Sequence, residues 1–222
     1  MASMKSNRAK TSASEAPRRR DPERARLAIL DAATSEFSDH GFAGARVDRV
    51  ALAAGLNKAM LYHYFGDKEA LYLAVLERAY SDIREAENRL ELSDAAPVEA
   101  VQRLVEFTWD YFVAHPEFLS LLNTENLMRA AYVKRSKSVT ELQSPLVETL
   151  GAVLERGEVS GVFRSGIDPA QLYWSIAGLG YFYLSNRHTL SISFDRDLTA
   201  TDAMDERRAH IVEVILGYLR PE

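Results

Sequence analysis

The 222-residue chain has no cysteine, which rules out disulfides, thiolate nucleophiles and cysteine-based zinc sites together. That absence is in keeping with a reducing compartment. Long apolar runs are also missing: the stretch from Leu172 to Leu184 is broken by Ser175, Gly178 and Gly180 and falls short of the ~20 residues a bilayer demands. No membrane partner is expected. No apolar signal-peptide core stands near residue 1, so a cytoplasmic location is expected. The five histidines, His40, His63, His115, His188 and His210, form no HxxxH or HExxH pair. There is likewise no GxSxG, no phosphate-cradling glycine loop and no carboxylate motif on a recognisable scaffold. Catalysis is therefore not expected, and neither a metal nor a cofactor is called for. What remains, 47% apolar and 27% charged, is enough to build a buried core in one or two domains.

The net charge of −5 argues at first against nucleic acid, but its distribution reverses that impression. Residues 1–68 hold 12 Lys+Arg against 8 Asp+Glu, a net of +4, whereas residues 69–222 hold 15 against 24, a net of −9. A basic N-terminal part on an acidic body is the footprint of a protein that meets phosphates at one end. Residues 1–21, with Arg18-Arg19-Arg20, lack any apolar period and are expected to be a disordered basic arm. Either a solvated tail or a minor-groove arm fits that composition, and deleting residues 1–20 would separate the two.

Residues 46–68 are the most informative stretch. Val47, Val50, Ala51 and Ala54 recur at i, i+3, i+4 and i+7, one face of a helix, and Gly55 can end it with a positive φ. Asn57 stands where an N-cap belongs, and a short helix over Lys58–Phe65 follows before Gly66. Asp67 can cap a third helix that starts at Lys68. At about 100° per residue, Leu61 and Phe65 share the inward side of the short helix. Ala59, Met60 and His63 then project outward, with Lys58, Tyr62 and Tyr64 on the flanks. Two helices around a glycine turn, the second lying in the major groove, make a helix-turn-helix. Met60 and Ala59 suit a thymine methyl, and Tyr62, Tyr64, Lys58 and Lys68 suit phosphate oxygens. The competing structural reading is an aromatic cluster packed against a later part of the same chain.

At these residues the chain resembles the tetracycline-repressor (TetR) family of one-component transcription regulators. The similarity spans about residues 22–80: Ile29-Leu30-Asp31-Ala32-Ala33, Phe37, His40-Gly41-Phe42, Val47, Val50-Ala51, Ala54-Gly55, Leu61-Tyr62-His63-Tyr64-Phe65 and Lys68-Glu69-Ala70-Leu71. The resemblance implies a homodimeric repressor with a three-helix operator-binding unit over residues 22–67 and a helical ligand-binding and dimerisation body over 68–222. Carried over by position, it makes Arg46, Tyr64 and Lys68 phosphate contacts. Asp48, Lys58, Ala59, Met60 and Tyr62 become base-proximal, with Val47 and His63 in the same surface. Two residues depart from the pattern. Arg46 stands where relatives often carry a capping Thr or Ser, so the cap must come from another group. Asp48 could accept from cytosine N4 or simply favour the helix N-terminus, and the second reading is preferred.

The rest reads as helix almost throughout, so the fold class is all-α. Helix one is expected over Pro22–Asp39, ending at Gly41. Further helices are expected over 68 to about 91, 97–115, 117 to about 131, 139 to about 158, 169 to about 186, and 202–219. Loops are expected over 159–168 and 188–201. The helix near Leu172–Tyr183 is apolar nearly all round, and Ile211, Val214, Ile215, Tyr218 and Leu219 make a second stripe. Two copies of this pair could form an intersubunit four-helix bundle, with Ala177, Gly178 and Gly180 allowing close approach. For an inducer site, Trp109, Phe112, Trp174 and Tyr181 are candidate apolar walls, with Asn123, Asn126 and Arg129 as polar anchors. Arg129 could grip a carboxylate or simply be exposed or paired with Glu125, and the second reading is preferred. The segments His115–Phe118, Asn123, Glu125-Asn126, Asp168-Pro169, Leu172–Trp174 and Asn186-Arg187 are similar to the bodies of the nicotinate-pathway repressor subgroup, which implies a small aromatic or heterocyclic acid as inducer. An activator using the same DNA-binding unit, or a helical protein-interaction adaptor, is the alternative function.

Overall fold

The structure, a computed structural model, describes residues 22–141 and 144–221. The basic arm expected over residues 1–21 lies outside the described residues. In chain order the helices are α1 (Pro22–Gly44), α2 (Val47–Ala53), α3 (Lys58–Phe65), α4 (Lys68–Asn88), α5 (Pro97–Ala114), α6 (Pro116–Leu127), α7 (Lys137–Glu141), α8 (Ser144–Val159), α9 (Pro169–Phe194) and α10 (Thr201–Leu219). A 3-10 turn at Val133–Arg135 precedes α7. The described residues contain no strand, so the all-α expectation holds.

Two apolar cores organise these helices. The first gathers Ile29, Leu30, Ala33 and Phe37 of α1, Val50 and Ala51 of α2, Leu61 and Phe65 of α3, and Leu71, Tyr72, Val75 and Leu76 of α4. Leu121 of α6 completes it. The second joins Ile83 of α4 to α5, α6, α8, α9 and α10 through residues such as Leu104, Trp109, Phe118, Leu150, Leu172, Ile176 and Ile215. Because α4 belongs to both cores, it runs unbroken from the N-terminal helices into the body, and α6, with Leu121 in the first core and Phe118 in the second, makes a further link. The 21 residues of α4 make it about 30 Å long.

Three expected boundaries move, each for a local reason. Gly41 breaks the helical path inside α1 at φ 63°, ψ 176°, but one more turn follows to Gly44. Helix α6 ends at Leu127, not near Ala131, because Arg129 and Ala130 turn left-handed at φ 57° and 56°. The buried Glu125 carboxylate draws the chain back there by accepting from the amides of Tyr132 (3.1 Å) and Val133 (3.0 Å). Glu125 is therefore occupied by backbone and does not pair with Arg129.

Helix α9 runs eight residues past its expected end, to Phe194. The loop foreseen over 188–201 shrinks accordingly. Its last turns are rich in hydroxyls that bond back to their own helix, Thr189 to the Asn186 carbonyl (2.9 Å), Ser191 to that of Arg187 (2.6 Å) and Ser193 to that of Thr189 (2.9 Å). A polar composition that reads as loop thus serves helix. The stop comes at Asp195, left-handed at φ 48°.

Candidate nucleic-acid interface

The local chemistry of α2, α3 and the start of α4 sets the presented surface. Gly55 (φ 65°) turns the chain after α2, and the Asn57 side chain accepts from the Met60 amide at 2.8 Å to open α3. Asp67 opens α4 in the same way, accepting from the Ala70 amide at 2.8 Å. Leu61 and Phe65 are buried against α1 and α4. The rest of α3 then faces outward: Lys58, Ala59, Tyr62 and His63 are exposed, and Met60 and Tyr64 are half-buried. His63 and Tyr64 meet edge-on, 5.6 Å between centroids. Lys58, Ala59, Tyr62 and His63 are thus left open, and not packed against a later part of the chain as the competing cluster reading required.

The missing cap of α2 is supplied from α1. Arg46 has extended φ/ψ and no capping side chain, and its amide donates to Glu36 Oε1 at 2.7 Å. Arg49 grips both oxygens of the same carboxylate, at 2.8 and 3.0 Å, and the Gly44 carbonyl at 3.2 Å. Burial opposes the Glu36 charge, but Arg49 and the Arg46 amide outweigh it and hold its carboxyl below the ordinary value of 4.5. Glu36 was not foreseen as a contributor. It lies ten residues before Arg46, across the Gly41 break, and no local spacing pairs the two.

The cations of this surface are not all free to meet phosphate. Residues 22–68 hold 6 Lys+Arg against 6 Asp+Glu, so the basic surplus counted over residues 1–68 lies entirely in residues 1–21. Asp48, in the first turn of α2, pairs with Lys58 at 2.8 Å. The hydrogen bond and the charge of Asp48 together raise the Lys58 ammonium above its ordinary value. Lys68 is half-buried over the Phe42 ring, 4.8 Å from its centroid, and burial lowers its pKa. Arg46 stays exposed beside Val47, which is half-buried. An exposed Leu52 also faces outward from α2, and Arg26 of α1 lies over the Phe65 ring at 5.2 Å.

The residues expected to line an effector site converge only in part: Trp109 and Phe112 meet α9 at Gly180 and Tyr181 meets Asn123, but Trp174, Asn126 and Arg129 stand apart. Trp109 and Phe112 are buried on α5 against α9, where a Cβ at Gly180 would sit 3.7 and 3.5 Å from their rings. Gly180 therefore serves packing inside its own subunit, not close approach of a second one. Trp174 is 60% exposed on the outer side of α9 and cannot share a wall with Trp109. Tyr181 donates to Asn123 Oδ1, tying α9 to α6. Asn126 bonds back to the Leu122 carbonyl (3.0 Å), and Arg129 is exposed past the helix end. An all-apolar helix gives its faces to different neighbours, and residue type alone does not say which.

A polar cluster in the body went unnoticed from sequence. Arg84 and Glu87 are buried on α4, 5% and 2% exposed, and pair with each other. Arg84 Nη2 also donates to the Tyr173 hydroxyl of α9 at 2.6 Å. Burial pushes the Glu87 carboxyl up to about 7 despite Arg84. The signal was present: Arg84 and Glu87 extend the inward stripe of Leu76, Tyr80 and Ile83 at helical spacing, where charge is out of place.

Residues 29–75 match the family described as bacterial regulatory proteins, tetR family, and residues 97–215 match the tetracyclin repressor-like C-terminal domain. The chain is 40% identical over 203 residues to the HTH-type transcriptional repressor NicS of Pseudomonas putida, covering 91% of this chain and 96% of that one. It is 33% identical over 155 residues to the HTH-type transcriptional regulator RutR of Escherichia coli, covering 67% and 68% of the two. Among solved structures, the putative transcriptional regulator SCO4942 of Streptomyces coelicolor superposes with a TM-score of 0.67 at 26% identity, over 89% of this chain and 99% of that one. With the capped α2-turn-α3 unit and the helical body both matched in order, the chain belongs to the TetR family of bacterial transcription regulators.

Proposed function

We propose that the protein is a homodimeric repressor that sits on a near-palindromic operator through α3 and leaves it when a small molecule binds the body. The observation that carries this reading is the outward face of α3, with Lys58, Ala59, Tyr62 and His63 exposed while Leu61 and Phe65 anchor the helix from behind. Apolar and hydroxyl-bearing side chains with a cation at the N-terminal end match base edges flanked by phosphates. The repressor names of NicS and of other relatives support the sign of regulation. Among the described residues no helix is long and apolar enough to cross a membrane.

Dimerisation through α9 and α10 is supported by what one subunit leaves uncovered. Trp174, Phe182, Val214 and Tyr218 are exposed by 60, 58, 40 and 49%. A groove of about 420 Å³ runs between the two helices beside Ser175, Gly178, Leu179, Val214, Ile215 and Tyr218. A Cβ at Gly178 or Gly217 would meet nothing within 4 Å, so a second copy can approach closely there. Two readers on a two-fold axis then face half-sites about 34 Å apart. Effector binding tilts α4 and takes them out of that spacing.

Footprinting on the DNA flanking the protein's own gene, with and without candidate metabolites, tests the reading. Protection of a palindrome that fades with rising salt and with one metabolite is the expected result. Equal binding to random duplex would instead favour the adaptor. Tyr62→Ala with Tyr64→Ala should abolish protection.

A further inference from the structure

Residues 1–21 carry 6 Lys+Arg against 2 Asp+Glu, whereas residues 22–68 are balanced at 6 against 6. All the net positive charge of the N-terminal part therefore lies in a segment joined to the fold at Pro22, where α1 begins. Two clefts follow α1 from that point. The first, of about 440 Å³, has Arg26 and Leu30 of α1 on one side and Glu77 and Ser81 of α4 on the other. The second, of about 550 Å³, lies between residues 31–39 of α1 and 116–120 of α6. Arg78 lines both, so the two adjoin.

Carboxylates outnumber cations in the second cleft. Asp31, Asp39 and Glu117 line it, with Arg78 as its guanidinium. Arg78 is shared between Asp31 (2.6 Å) and Asp82 (3.6 Å), and Glu117 faces His115 at 3.0 Å. Burial raises the Asp82 carboxyl despite Arg78, with Glu85 and Asp31 adding like charge. Among the described residues Asp39 has no ion-pair partner, and the hydroxyls of Ser38 and Ser120 have no hydrogen-bond partner. A cationic, hydrogen-bonding segment complements that lining. We propose that this cleft is the docking site of the chain's own N-terminal segment, with Lys5, Arg8 and Lys10 set against Asp31, Asp39 and Glu117. The reach is sufficient. Asp39 stands 17 residues along α1 from Pro22, about 26 Å, and Lys10 is 12 residues before Pro22, an extended span of up to about 40 Å.

The tether decides for this occupant over a free polyamine of similar charge. A segment attached at Pro22 meets the cleft at an effective concentration on the order of millimolar, whatever the solution holds. The consequence falls on DNA binding. On a duplex the same cations exchange carboxylates for phosphates, so part of their pull on any phosphate backbone is cancelled in advance. Random duplex, held by charge, loses most from that exchange; an operator, held by α3 as well, loses less. The cleft thereby sharpens discrimination between the two. Docking itself is independent of the repressor reading, and only its effect on DNA rests on that reading.

The test uses the full-length chain, whose lack of cysteine lets Ser6→Cys carry a single nitroxide. At low salt the label should broaden the amide resonances of Thr34, Ser35, Ser38 and Ser120, and about 0.5 M salt should restore them. Asp39→Asn with Glu117→Gln should remove the broadening and tighten random-duplex binding by about threefold to tenfold. In a chain that also carries Lys5→Gln, Arg8→Gln and Lys10→Gln, the same two changes should leave that affinity unaltered. Should the cleft variant fail to fold, the broadening in the labelled parent carries the test alone. Absent or evenly spread broadening would overturn the proposal, as would equal tightening in both backgrounds. So would cleft resonances that move with millimolar spermidine yet ignore the label. The broadening is read without DNA, so the two levels separate: a labelled chain that docks its segment but protects no operator keeps this inference and sinks the regulatory reading. One that protects its operator without broadening does the reverse.

Discussion

Lys58 is placed between two partners. In the free protein it pairs with Asp48, and the operator contact proposed for it would exchange that carboxylate for a phosphate or a guanine edge. Both side chains are more than half exposed, so the pair itself is weak, and the effect belongs to binding more than to stability. Asp48→Asn should steepen the salt dependence on random duplex by about one unit of log K per log salt, and Lys58→Met should flatten it by as much. Fluorescence anisotropy over a salt series reads both, and identical slopes in all three proteins would show that Asp48 does not restrain Lys58. Glu36 acts on stability instead. Its carboxyl is held below 4.5 in the fold, so its contribution is present above the unfolded value and fades as pH falls through the lowered one. Glu36→Gln should remove about 1 kcal/mol at neutral pH, some 2–4 °C in Tm, and the difference from the parent should shrink below pH 4. Caps from Asn57 and Asp67 were legible in sequence because each acts three residues ahead. Glu36 was not, because its reach crosses a chain reversal.

Helices carry two kinds of glycine that the sequence does not tell apart. On Gly157 of α8 a Cβ would stand 1.9 Å from the buried Phe163 ring, whereas on Gly180 of α9 it would make ordinary contacts of 3.5 Å and more. Gly157→Ala should therefore unseat Phe163 and lower stability by roughly 1–3 kcal/mol. Gly180→Ala should be neutral or gain up to about 1 kcal/mol from helix propensity, and thermal melts rank the pair. The tie between α4 and α9 adds a pH signature. Glu87 is raised from 4.5 to about 7, so the folded state holds its proton more tightly. Stability linked to it is full below about 4.5 and falls as pH rises to about 7. Glu87→Gln should melt lower overall, because Arg84 loses its buried partner, yet lack that decline between pH 5 and 7. A parallel pH profile for variant and parent would show that Glu87 is not the titrating group. Helix existence along the chain was readable from apolar period and caps. The length of α9 was not, since Thr189, Ser191 and Ser193 look like loop residues until their hydroxyls are seen bonding within the helix.

At the scale of the whole molecule, one DNA-binding unit has little electrostatic grip of its own. Its described part is balanced in charge, with Lys58 and Arg49 both engaged by carboxylates. In the proposed dimer, firm operator binding would then depend on two units held at fixed separation, which raises affinity through effective concentration without any new contact. The sequence showed that α9 and α10 carry more apolar surface than one subunit covers. It did not show how that surface divides. Leu172, Ile176, Ile211, Ile215 and Leu219 turn inward, leaving Trp174, Phe182, Val214 and Tyr218 outside. Charge placed on the second set should break the dimer and spare the subunit. Trp174→Glu with Tyr218→Glu should keep the helical circular dichroism, move the mass in light scattering from two chains to one, and weaken operator binding on the order of a hundredfold or more. Random-duplex binding should change little, since the α3 surface is untouched. A variant that stays dimeric, or a monomer that binds the operator as tightly as the parent, would mean that the two readers are not aligned through this face.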